Sequence, residues 1–424
     1  MTQYRWRIAA LLFLATTINY FDRNLFSVVM IDPAFKNEFG FTKDDFSVID
    51  ACFKVAYGLG FLVMGSVLDV FGPRKGLSLS LALWATCSLA HAFCGRLLHF
   101  SLARFGLGLG ESGNFPGAVK ASGEWFPKEE RALALGIVNA GANVGVILVY
   151  SVIPFILSEY GWRWVFVVSA VFQALWLFLW FRTYRSPEDC AGVNESELAH
   201  IRDGRVTSTQ SVPWSAVTGK RQAWAFSASK FLCDPVWYFY LVWLPTFFAE
   251  NENFGGAKLD LKSITLPFLV IYIVSDLGSV AGGWFSSRLI KAGLSTNAAR
   301  KSTMLLAAIA VLPVYLAAQT TSLWTAVALI AIGTAAHQAN SSTLFATVGD
   351  MFPSSAVGRV TGMGSFMGSV SGAAVAYGTG TIVAKFGFQA MFIYASVAYL
   401  LALIIFHVLV PRLEPAKLET KAKG

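Results

Sequence analysis

Apolar residues run in blocks of membrane-crossing length along the chain, and polar residues gather in the breaks between them. A helix needs about 20 apolar residues to cross a bilayer. On that measure the first blocks predict spans near 7–31, 46–70, 76–95, 97–119, 132–157 and 162–183. A second set falls near 223–249, 264–290, 302–318, 322–346, 357–384 and 388–410. The pattern is six and six, an all-α membrane protein of twelve transmembrane helices. Between the sets, 184–222 carries Pro187, Asn194, Gly204, Ser208 and Pro213 among mixed charges, which reads as a linker with one short surface helix over Glu195–Arg202. The expected organisation is therefore a first bundle over 1–183, a linker over 184–222, and a second bundle with a short tail over 223–424.

Composition agrees and narrows the function. Of 424 residues, 55% are hydrophobic and 14% charged, whereas a soluble domain carries about a quarter charged residues. The net charge is +8, but the basic residues are too interrupted by apolar runs to form a nucleic-acid footprint. Twelve spans leave only short loops, so no separate catalytic domain is expected. The five cysteines, Cys52, Cys87, Cys94, Cys190 and Cys233, are scattered without CxxC spacing and read as small apolar fillers, with neither a disulfide framework nor a zinc site. Nucleophile elbow, phosphate loop and metal-ligand patterns are all missing, so an enzyme is not expected. The first apolar stretch holds Asn19, Asp22 and Arg23 and ends in no small-residue cleavage site, which makes it the first span rather than a signal peptide.

Most lysines and arginines outside the spans fall on one side, among them Arg5, Arg7, Arg74, Lys75, Lys128, Arg131, Arg221, Arg300, Lys301 and Lys417. The positive-inside rule then puts both termini and the linker in the cytoplasm. The two sets of spans are also related. Gly123-Glu-Trp-Phe126-Pro127 recurs as Gly349-Asp-Met-Phe352-Pro353, and the same spacing carries Gly136 onto Gly362 and Arg74-Lys75 onto Arg300-Lys301. Agreement at three separated places marks a parallel internal repeat, hence two pseudo-symmetric six-helix bundles.

Between the second and third spans, Gly65-Ser-Val-Leu-Asp69-Val-Phe-Gly72-Pro-Arg74-Lys75 resembles the signature loop of the major facilitator superfamily. A degenerate copy, Gly283-Trp-Phe-Ser-Ser-Arg288, stands in the second half. The glycines allow close helix approach, and Asp69 with the basic pair can bridge helix ends. Asn19-Tyr-Phe-Asp22-Arg23, Arg104 with Glu111, Asn114-Phe-Pro116 and Trp125-Phe-Pro127-x3-Arg131 resemble the anion:cation symporter family within it. Lys230-Phe-Leu-Cys-Asp234-Pro-Val-Trp237 and His337-Gln-Ala-Asn340 resemble its hexuronate-transporter branch. The resemblance covers nearly the whole chain. It implies alternating access and import of an anionic sugar acid.

The residues themselves lead to compatible chemistry. Ionisable groups inside spans are costly and mark pathways; here they include Asp22, Arg23, Lys54, Arg104, Glu111, Lys230, Asp234, Asp276 and His337. Arg104 and Glu111 lie about two turns apart on one helix face, while Asp22 and Arg23, about 100° apart, can face different neighbours. A planar guanidinium meets a carboxylate with two hydrogen bonds, so Arg23 is the expected substrate clamp. Tyr20, Tyr57, Asn139, Asn143, Trp237, Tyr238, Asn340 and Ser341 are candidates for the sugar's ring and hydroxyls, and ordinary packing is the competing role of the aromatics. Lys54 reads either as a second cation for the substrate or as a partner of Asp50 one turn away. Proton coupling is expected of Asp22 and Glu111, with Arg104 as the partner that Glu111 engages when substrate is absent. Lys230 and Asp234 read as a structural pair, and Asp276 and His337 stay unassigned, although the repeat carries Glu111 onto His337.

The expected function is proton-driven import of a hexuronate, galacturonate or glucuronate, across the cell inner membrane by a monomer. No cofactor is expected; the partners are the sugar acid, protons and lipid, with no nucleic acid. The alternatives are another organic anion, such as galactonate, glucarate or an aromatic carboxylate, and a non-transporting nutrient sensor.

Overall fold

The computed structural model describes residues 2–30, 32–202, 212–250 and 261–418, so 203–211 of the linker lie outside the described residues. Fourteen α-helices follow one another without a strand among the described residues. The first three are α1 (Tyr4–Val29), α2 (Pro33–Phe39) and α3 (Lys43–Ala90); then come α4 (Leu97–Glu111), α5 (Asn114–Trp125), α6 (Lys128–Tyr160) and α7 (Trp162–Thr183). The linker holds α8 (Glu195–Arg202) and α9 (Trp214–Thr218), the surface helix falling where it is expected. The rest are α10 (Arg221–Glu250), α11 (Leu261–Lys291), α12 (Thr296–Val311), α13 (Leu323–Met351) and α14 (Ser354–Leu409).

Two of these are two spans each. α3 turns at Gly72, whose φ of 74° is the left-handed region that glycine enters without strain, and Pro73 opens the next section. α14 turns likewise at Gly387, φ 71°. The fourth span differs from the continuous segment expected: it breaks at Ser112–Gly113, so that α4 and α5 share it. Leaving out the short α2, α8 and α9, and counting each section once with α4 and α5 together, gives the twelve spans. Among the described residues six helical stretches satisfy length and hydropathy outright, including Asp45–Phe93 and Gly378–Leu409.

Caps fix several ends. Thr42 and Asp45 form a capping box at the start of α3, Asp32 caps α2 through the Phe35 N–H, and Gly40 closes it with φ 62°. The start of α1 has no cap of its own; Glu197 of α8 accepts from the Tyr4 and Arg5 N–H groups and pairs with the Arg5 guanidinium at 3.0 Å.

The chain resolves into two compact units. The first comprises Met1–Pro127, Gly141–Ser211 and Pro353–Gly362; the second Lys128–Ala140, Val212–Phe352 and Met363–Gly424. In unit 1 an aromatic core of Phe26, Phe35, Phe100, Trp162 and Phe166 joins α1, α2, α4 and α7. In unit 2 the core runs through Val236, Phe239, Tyr240, Val311, Ile330 and Phe392.

Glycines let segments that begin α14 and α6 dock closely. In unit 1, a Cβ on Gly65 would strike the Gly358 carbonyl, and one on Gly362 would strike the Phe61 carbonyl. In unit 2, a Cβ on Gly283 would strike Ala132, and one on Gly136 would strike Ser279. Backbone-to-backbone contact of this kind is how helices associate without a hydrophobic driving force.

Candidate functional site

α1 splits its adjacent ionic residues between two neighbours, as the roughly 100° step between them anticipates. Asp22 turns into a cage of donors: Trp84 Nε1 at 2.8 Å from α3, and the Ser169 hydroxyl and Gln173 amide from α7. Ser169 and Gln173 are also bonded to one another at 3.1 Å. Arg23 turns towards α4, where its Nε and Nη2 each lie 3.2 Å from Glu111 Oε2. Nη2 also donates to Asn19 Oδ1 at 3.0 Å, and the Asn19 amide donates to the Glu111 carbonyl at 3.3 Å.

Aromatic faces surround the guanidinium. The Arg23 Cζ stands 4.6 Å from the Tyr20 ring centre, 4.3 Å from Tyr57 and 5.6 Å from Phe53. Such faces favour a cation that has lost part of its hydration. The Arg23 side chain keeps 21% exposure, whereas Glu111 has none, so of the two it is Arg23 that a solute can reach.

The partner of Glu111 is therefore Arg23 rather than the expected Arg104. Arg104 is fully buried, sits over the Phe26 and Phe53 rings, and donates from Nη2 to the Arg23 carbonyl at 3.3 Å. Among the described residues its Nε and Nη1 have no hydrogen-bond partner, and neither does Glu111 Oε1. Residues seven apart share a helix face, but a face offers Glu111 to its neighbouring helix more readily than to a group two turns along its own.

The remaining candidates divide by unit. In unit 1, Asn143 is buried on α6 between Gly141 and Gly145, the glycines against which α1 packs. Lys54 pairs with Asp50 at 2.7 Å, the second of its two expected roles, with 59% of its side chain exposed. In unit 2, Asn139 spends its amide on Ser279 at 3.2 Å and Gln338 at 2.7 Å, not on open space. Lys230 and Asp234 pair at 2.8 Å along α10. Trp237 stacks on His337 with centroids 5.0 Å apart, and His337 Nδ1 lies 2.5 Å from the Tyr399 hydroxyl. The Tyr238 ring fills the space above Gly372. Asn340 is buried near the Cys233 sulfur, and Ser341 is half-buried beside it on α13.

In the signature loop Asp69 accepts from Lys120 Nζ at 3.0 Å, from the Gly358 and Arg359 N–H groups at 2.8 Å, and from the Arg359 guanidinium at 3.2 Å. Arg74 donates to the Phe181 carbonyl, and Lys75 is exposed. Unit 2 holds a parallel cluster in which Asp350 takes Arg300 at 2.9 Å and Arg131 on its other oxygen.

A family model for the Major Facilitator Superfamily matches residues 12–377. The chain belongs to the Major Facilitator Superfamily. It is thus a multi-pass membrane transporter rather than an enzyme. Solved members share the fold: the proton:xylose symporter XylE superposes with a TM-score of 0.73 at 15% identity, covering 98% of each chain. Among curated relatives, the hexuronate transporter of Escherichia coli K12 is 28% identical over 412 residues, 96% of this chain and 94% of that one. A probable galactarate/D-glucarate transporter of the same strain is 25% identical over 446 residues, 99% of this chain and 96% of that one.

Sequence reasoning missed the Asp22 cage and the partners of Asp69 and Asp350. A signal for the first was present, since Ser169 and Gln173 are polar residues one turn apart in an apolar span and so share a face. For the second there was none, because Lys120 and Arg359 are remote from Asp69 in the chain.

Proposed function

We propose that this transporter couples the entry of a proton to the import of an anionic sugar acid, a hexuronate such as galacturonate or glucuronate in the first place. The observation that carries the reading is the Arg23–Glu111 pair, in which a partly exposed arginine is held by a fully buried carboxylate. An entering carboxylate competes with Glu111 for Arg23. Protonating Glu111 cancels its charge, releases the guanidinium and leaves it free to form a two-bonded contact with the solute. A proton and an anion then favour each other's binding, which is the condition for symport. Asp22, with its own donors, is the second acid able to share the proton.

Tyr20 and Tyr57 supply ring faces beside the clamp. The names of the relatives favour sugar acids as the class. The basic residues of the linker and loops favour both termini on the cytoplasmic side of the inner membrane. A second reading, uptake of a diacid, is favoured by the galactarate/D-glucarate relative at comparable identity.

Uptake of labelled galacturonate by vesicles with an imposed proton gradient tests the proposal. Accumulation above the outside concentration, abolished by a protonophore, is expected. No uptake of any sugar acid would refute it.

A further inference from the structure

Three cations of unit 1 stand at graded depth around the clamp: the Lys54 side chain keeps 59% exposure, that of Arg23 21%, and Arg104 is buried. The exposure of Lys54 is not towards lipid. α3 turns Val48, Val55, Leu59 and Val63 outward, each about half exposed, and Lys54 stands about 100–180° round the helix from every one of them. Tyr57 and Phe61 lie within about 60° of it, and both are buried. Their rings meet at 4.6 Å, and the Tyr57 ring lies 4.3 Å from the Arg23 guanidinium. Lys54 therefore meets water on the protein side of α3, one turn from the wall of the clamp and within the same unit.

The partner of Lys54 does not cancel it. Asp50 Oδ2 lies 2.7 Å from Lys54 Nζ and keeps 29% exposure, and an ion pair this open to water is weak and screened by salt. Asp50 also acts on the buried Arg104, more strongly than Glu111 or Asp22 does, so one carboxylate serves two cations. An approaching anion thus finds residual positive charge at Lys54. The two residue types suit successive tasks. An ammonium on a flexible stem is a compact, hydrated point charge that takes an anion from any direction, whereas the guanidinium fork fixes a carboxylate in one geometry. Between them Tyr57, about 4.5 Å along the helix axis from Lys54, offers a sugar ring a face to move across.

We infer that Lys54 is a capture residue, which holds the carboxylate of an entering sugar acid transiently and passes it along the Tyr57 face to Arg23. This rests on the sugar-acid reading above. A neutral sugar gains nothing from Lys54, so the residue selects anions before they reach the clamp. The contact is released on arrival at Arg23, and Lys54 therefore governs how readily the carrier loads rather than how fast the loaded carrier turns over.

The test is uptake of labelled galacturonate by proteoliposomes at low and high salt, for wild type, Lys54→Gln and Lys54→Arg. Lys54→Gln should raise the KM by about fivefold or more, leave the maximal rate within about twofold of wild type, and flatten the rise of KM with salt. Lys54→Arg should restore all three. An unchanged KM and salt dependence in Lys54→Gln, or a loss of maximal rate in place of a raised KM, would overturn the inference and leave the symport reading standing. Lys54→Cys gives a measure independent of transport rate, and it decides if Lys54→Gln does not fold. An impermeant thiol reagent should modify it beyond the wild-type background, galacturonate should slow that modification, and Val55→Cys on the lipid face should stay unmodified. A cysteine at 54 that does not react, or that reacts as fast with galacturonate present, also overturns the inference. Wild type that takes up no sugar acid would refute the sugar-acid reading, and this inference with it.

Discussion

Arg23 reaches Glu111 through two nitrogens that both lie 3.2 Å from one carboxylate oxygen, Oε2, while the other oxygen, Oε1, accepts nothing among the described residues. The pair is thus engaged on one edge only. A neutral Glu111 has less hold on Arg23, and Arg23 has the exposed side from which a carboxylate can replace it. This asymmetry gives the proposed coupling its direction: protonation first loosens the clamp, and the anion then occupies it.

Replacing Arg23 by lysine keeps the charge and loses the planar fork. Galacturonate binding should weaken by about 1.5–3 kcal/mol, the scale of a hydrogen bond to a charged group. Isothermal titration on purified protein measures it. An unchanged affinity would remove Arg23 as the carboxylate partner.

Asp350 neutralises two buried arginines, Arg131 and Arg300, with side-chain exposures of 1% and 0%. Asp350→Ala takes that carboxylate away from both, and breaking a buried pair costs about 3–5 kcal/mol. Thermal unfolding in detergent should show a clearly lowered Tm. Equal melting of variant and wild type would mean that water reaches the arginines and compensates their charges.

Glu197 gives a pH dependence outside the membrane. Burial raises its pKa, but the Thr2 hydroxyl, the Arg5 and Tyr4 N–H groups and the Arg5 guanidinium outweigh that, and the net shift is downward. A depressed folded pKa contributes stability above the ordinary carboxylate value of about 4.3, and that stability is lost as pH falls through the folded value. Hydrogen exchange of the Tyr4 and Arg5 amides, corrected for intrinsic rates, should therefore show protection at neutral pH that declines in acid. Glu197→Gln should have lost much of that protection at neutral pH already. Protection equal in wild type and variant at all pH values would contradict the cap.

Ser196 is exposed on α8 in the linker. A cysteine placed there should stay unlabelled by impermeant thiol reagents on intact cells and react once the membrane is permeabilised. Labelling from outside would reverse the orientation.

Spans, turns and the split between Asp22 and Arg23 were readable in the sequence because each depends on local periodicity. Gly72-Pro73 announced a turn, and two adjacent ionic residues on a helix must diverge. Lys54–Asp50 and Lys230–Asp234 were readable for the same reason, being one turn apart. The identity of Glu111's partner was not, since spacing along α4 says which residues share a face and nothing about which helix that face meets. Asn139 shows the same limit: its polarity marked it, but only packing shows that Ser279 and Gln338 take its amide. Asp69 was singled out, but its cations were not, because they come from α5 and α14, remote from it in the chain.

Glu111→Gln in proteoliposomes is the most direct test of proton coupling, with galacturonate counterflow and proton-driven accumulation measured on the same preparation. Glutamine has the shape of the protonated acid and cannot release a proton. The account predicts that the variant exchanges galacturonate at a rate near wild type, with binding less dependent on pH, and fails to accumulate it when a proton gradient is imposed. Full gradient-driven accumulation by the variant would contradict the account, since the proton would then be carried by a group other than Glu111.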